Sequence, residues 1–100
     1  MPATDDTPAQ ATKMAVFART FPCLTKAAGV KPWDANTLDQ WALDALVSHG
    51  ELVTAQFLLA VWDPANTWRC GRFDVMEALR VWDTAHLAAF LAWANDPWWP

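Results

Sequence analysis

Isoleucine and tyrosine are missing from this chain, and cysteine, glycine and basic residues are few: two Cys, three Gly and seven Lys plus Arg in 100 residues. Each shortage closes off a class of function. Gly29, Gly50 and Gly71 stand far apart, so no glycine-rich loop cradles phosphates. Cys23 and Cys70 have no secretion signal before them, and they read as free thiols in a reducing cytosol. Together with His49 and His86 they give no metal signature, because structural sites supply ligands in close twos and these four are widely spaced. No cofactor is expected.

Basic residues are too sparse to make a phosphate-binding face. The net charge is −4, with Asp5 and Asp6 supplying two of the negative charges, so nothing draws the domain toward nucleic acid or an anionic membrane. The longest apolar run, Leu52–Trp62, is interrupted by Thr54 and Gln56 and is too short to span a bilayer. The N-terminus has neither a basic start nor an apolar core, so it reads as no signal peptide and the expected location is cytoplasmic. The bias toward Ala, Trp and Asp points to a GC-rich, bacterial coding sequence.

What is present is tryptophan, eight of them. At about 200 Å² each they supply on the order of a quarter of the ~6,000 Å² of apolar burial that a domain of this length needs. They are expected as keystones of a single small domain over residues 7–100, preceded by a disordered polar tail over 1–6. A domain this small has too much surface to hide all eight.

Helical periodicity is the dominant pattern. No stretch alternates with period two and β-branched residues are sparse, so the expected fold is all-α: a compact bundle of four to five short helices. Residues 51–62, ELVTAQFLLAVW, are apolar nearly all round and predict a central buried helix. Thr7-Pro8-Ala9-Gln10 matches a capping box for a first helix that stops near Thr20 or Phe21, before Pro22. Residues 22–28 predict a short second helix with Gly29 as its stop. Asp34 starts the next, with Leu38, Trp41, Ala42, Ala45 and Leu46 on its apolar face and Asp39 and Asp44 toward solvent. Ser48-His49-Gly50-Glu51 is a second capping box. Residues 63–72 read as a loop, 73–82 as a helix with Phe73, Met76, Leu79 and Trp82 on one side, and Asp83 as the start of the last helix, where Leu87, Phe90, Leu91 and Ala94 align.

Trp33-Asp34, Trp62-Asp63 and Trp82-Asp83 each place an indole before an aspartate at an expected helix start, where the carboxylate caps and the ring staples. These pairs are not the blades of WD repeats, which need strands at a regular period of about 40 residues. Pro97-Trp98-Trp99-Pro100 spells the PWWP signature, but that family carries it early in a β-barrel and here a helical chain precedes it. Residues 24–41 resemble a helix-turn-helix through Gly29-Val30 and Thr37-Leu38 with Trp41. That resemblance implies a DNA-binding regulator, yet the would-be reading helix carries Asp34, Asp39 and Asp44 and no Lys or Arg.

No nucleophile with a base and no carboxylate pair in an apolar pocket stands out, and Glu77 with Arg80 has the spacing of a surface ion pair. The expected function is therefore non-catalytic: a small protein–protein interaction module, an adaptor or accessory subunit of a larger bacterial assembly. The candidate partner-binding residues are Trp68, Arg69 and Arg72 in the loop and Trp98 and Trp99 in the tail, because Trp and Arg are the types enriched at binding hot spots. The alternative is an acidic inhibitor or immunity-type protein that blocks a basic site with Asp34, Asp39 and Asp44. A homo-oligomer is compatible with either reading.

Overall fold

The computed structural model describes residues 2–100, with side chains described from residue 9 onward. The tail expected over residues 1–6 and the Thr7 cap of the expected Thr7–Gln10 capping box lie outside the described side chains. Among the described residues there are five α-helices and no strand: α1 (Pro2–Ala18), α2 (Ala35–Ala42), α3 (His49–Trp62), α4 (Val75–Val81) and α5 (Thr84–Ala94), with a 3-10 turn at Pro22–Leu24.

Local chemistry sets these limits. Phe21, pinned ahead of Pro22, is extended (φ −94°, ψ 114°), so α1 cannot run on into the 3-10 turn. The second helix expected over 22–28 shrinks to that turn. Gly29 is not its stop, because the turn already ends at Leu24 with Thr25 as its cap; Gly29 (φ +87°) instead serves the later Ala27–Val30 turn, where a Cβ would collide with the Leu38 main-chain nitrogen, so only glycine fits. Asp34 Oδ1 then accepts from the Thr37 N–H and starts α2. Both halves of the Ser48–Glu51 capping box form and launch α3.

α3 is the post around which the rest is arranged. Val53, Thr54, Ala55, Phe57, Leu58, Leu59 and Val61 are all buried, and α1, the 3-10 turn, α2 and α4 pack on it. The centre of the core is a phenylalanine. Rings of Phe17, Phe21, Phe73, Trp82, Phe90 and Trp93 all lie 5.1 to 6.1 Å from Phe57, centroid to centroid. Of the eight tryptophans only Trp33 and Trp82 are buried. The Trp82 indole donates to Thr54 Oγ1 (2.8 Å), and the Thr54 hydroxyl in turn donates to Gly50 O (2.7 Å), so this buried polar pair is satisfied.

Three expectations need correction. α2 ends at Ala42, because Asp44 Oδ1 accepts from the Leu46 N–H and turns the chain; Leu46, placed on the apolar face by periodicity, is 92% exposed. α4 starts only at Val75, since Asp74 accepts from the Met76 and Glu77 N–H groups. Its buried residue is Ala78, while Met76 (71% exposed) and Leu79 face outward and the flanking Phe73 and Trp82 reach the core. Finally, Asp34 and Asp83 are N-caps as expected, but Asp63 closes α3 and its side chain accepts from the Ala65 N–H, making a turn instead of a helix.

Candidate functional site

The 63–72 loop owes its shape to one buried carboxylate. Asp39, expected at the surface, is 5% exposed; its Oδ2 accepts from the Arg69 N–H (3.1 Å) and its Oδ1 from the Cys70 N–H (2.8 Å). The reason is that the loop folds over α2 and brings two main-chain donors that need an acceptor once water is excluded. Gln56 Nε2 donates to Cys70 O (2.8 Å) from the other side. Burial pushes the Cys70 thiol up to about 12, and its hydrogen bond to the Asp39 carboxylate adds to the shift, so it stays protonated and inert.

Within this loop the proposed contact residues have different fates. Trp68 is half-buried, and its indole N–H is spent on Leu59 O (3.1 Å), with Asp63 O at 3.4 Å. Arg69 Nη1 donates to Gln40 Oε1 (3.1 Å) and its main chain to Asp39. Arg72 is exposed beside a cleft of about 200 Å³ lined by Asp63, Pro64, Trp68, Gly71 and Phe73.

The tail divides as well. Trp98 folds back onto Phe17 (5.1 Å between rings), Lys13 Nζ sits 4.0 Å over its ring, and its carbonyl accepts from the Trp93 indole (3.0 Å). Trp99 turns outward and stays 56% exposed, with only an edge contact to Trp93 at 5.4 Å. The loop is thus held by α2 and α3 and the tail by α1 and α5; among the described residues no hydrogen bond or ring contact joins the two.

What sequence reasoning missed is α5 as a candidate surface, although the helix itself was expected. From Thr84 to Asn95 it carries no Asp, Glu, Lys or Arg, yet none of its residues is fully buried. Phe90 and Trp93 pack inward against Phe57, while Ala88, Ala92 and Leu91 (52% exposed) line an open apolar surface beside Asn95. The run LAAFLAWA, uncharged where a surface helix is normally half polar, was the signal available.

One further cluster forms from distant positions. Asp83 Oδ1 accepts from both the His86 N–H (2.9 Å) and His86 Nδ1 (2.7 Å), and His86 Nε2 accepts from the Cys23 main-chain N–H (3.2 Å). The His86 N–H and then its ring hold the Asp83 carboxyl below its usual value. Burial, the largest effect, pushes the Cys23 thiol up. With the imidazole lone pair taken by a main-chain donor and the thiol protonated, this Cys–His–Asp grouping clasps the 3-10 turn to α5 instead of activating a nucleophile. No group of three metal-ligating side chains occurs among the described residues, and no helix there is long and apolar enough to cross a membrane. Compared with protein-family models, curated proteins and solved structures, the chain matches none of them.

Proposed function

We propose that this chain is a non-catalytic, cytoplasmic protein–protein interaction module, an adaptor or accessory subunit, that meets its partner on the outer face of α5 and the adjoining Trp99. One observation carries the reading: α5 is apolar along its length but buries none of its residues, and Leu91 and Trp99 remain more than half exposed beside it. Exposed apolar area of this kind is costly in water and typical of surfaces that a partner covers. The face carries no charge, so the matching partner surface is an apolar helix or groove selected by shape, and binding should depend little on salt. Of the loop residues, Arg72 stays exposed, while Trp68 and Arg69 are committed to hydrogen bonds within the fold.

The test is an affinity pull-down from the native host, with light scattering of the purified chain alongside. A Leu91→Gln/Trp99→Ser bait should lose a partner that wild type and an Arg69→Ala/Arg72→Ala bait both keep, at low and at moderate salt. A partner kept by the α5 variant and lost by the arginine variant moves the surface to the loop. Capture of nothing by wild type, with a monomer in scattering, rejects the reading; a wild-type dimer abolished by Leu91→Gln/Trp99→Ser makes the partner a second copy.

A further inference from the structure

On the side of α1 away from the tail contact, a second concavity has a different character. Ala11, Ala15 and Val16 of α1 and Arg19 just past its end face Lys31 and Trp33 across a groove of about 390 Å³. Gly29 creates the opposite wall: its left-handed turn and the Asp34 N–H bond to Gly29 O (2.7 Å) set the 31–33 segment against α1. The volume falls within the about 300–1,000 Å³ of small-molecule sites.

Three observations define what this groove would take. Its floor is apolar, with Val16 left 54% exposed. Its charged lining residues are both cations, Arg19 and Lys31, in a chain of net charge −4. Arg19 Nε donates to Ala15 O (3.3 Å), which lays the side chain along α1 and leaves its terminal nitrogens for a ligand. Third, Trp33 is 92% buried by its 8% exposure, and its indole Nε1 has no hydrogen-bond partner, the orphaned buried side-chain donor among the described residues. An unpaired buried N–H is costly, and an entering acceptor oxygen relieves that cost.

We infer that the groove between α1 and the 31–33 turn is a binding site for an amphiphilic monocarboxylate, an apolar body of about eight to ten carbons with one anionic head. The body covers Ala11, Ala15 and Val16, and the carboxylate lies between Arg19 and Lys31 with one oxygen accepting from the Trp33 indole N–H. Charge-assisted contacts to two cations orient the head, and the apolar floor sets the chain length. This site is independent of the α5 face and survives if the proposed function fails.

The experiment titrates the full chain, ¹⁵N-labelled at its indoles, with decanoate below its micelle concentration and follows the indole N–H resonances. Decanoate should move the Trp33 resonance saturably and leave Trp99 in place. Octanoate, two methylenes shorter, should bind up to about 16-fold more weakly, since each methylene is worth ~0.8 kcal/mol, a factor of about four. Arg19→Gln/Lys31→Gln should weaken decanoate at least tenfold, and the charge-conserving Arg19→Lys/Lys31→Arg should retain it. Equal binding of decylamine or decanol, a response at Trp93 and Trp99 without one at Trp33, or no response to decanoate at all would each overturn the assignment.

Discussion

The 63–72 loop and the α5–tail region reach the surface by opposite routes. In the loop the groups that face the core are spoken for: Asp39 holds the Arg69 and Cys70 N–H groups, Gln56 holds Cys70 O, and the Trp68 indole is tied to Leu59 O. α5 is held instead by ring packing of Phe90 and Trp93 on Phe57, by one cap at Asp83 and by the His86 clasp. A loop rich in Trp and Arg looks like a contact surface when only residue types are known. Once its donors and acceptors are assigned, Trp68 and Arg69 are committed internally, and Arg72 alone of its three candidate residues stays exposed with no hydrogen bond among the described residues. The helix with no charged residue of its own keeps apolar surface to offer.

The comparison breaks most sharply at Asp39. Asp39→Ala leaves one buried and one part-buried main-chain donor without an acceptor and should destabilise the fold by about 3 kcal/mol, read as a lower urea midpoint at constant slope. A loss below about 1 kcal/mol would mean that water enters the loop and that its order does not depend on the carboxylate. A smaller effect is expected at the other end. Asp83 is held below its ordinary value, so its cap on α5 is complete above the unfolded aspartate value of about 3.9. That stability is lost as pH falls through the lower folded value. An NMR titration should show Asp83 protonating below pH ~3.9 with faster amide exchange in α5; protonation at or above that value would deny the cap its role. The smallest effect is at the exposed face: Leu91→Gln should change unfolding free energy by no more than about 0.5 kcal/mol, while still contributing to loss of the partner. A large destabilisation would place Leu91 in the core and remove the contrast between the two regions.

Much of the fold was legible because its signals are local. The Ser48–Glu51 capping box, the Asp34 and Asp83 caps and the all-round apolar α3 each depend on residues within a few positions of one another. Where periodicity was followed past a competing local bond it misled, as at Asp44 and Asp74, whose side chains accept main-chain N–H groups and reset the helix ends. Of the candidate site, Trp99 stands exposed as an anchor must, while Trp68 and Arg69 do not stand free; that division needed partners 9 to 30 positions away.

By itself the chain's order of residues determined that it is helical, where most helices begin, and that α3 is wrapped by the others, because backbone capping and apolar periodicity act over one or two turns. Only the tertiary structure decided that Asp39 is an internal acceptor, that Trp98 packs while Trp99 does not, and that Cys23, Asp83 and His86 meet. It also decided that Arg19 and Lys31 share a groove with an unpaired indole. Burial and hydrogen-bond satisfaction depend on which distant segments exclude water from each other, and that is a property of the packed molecule.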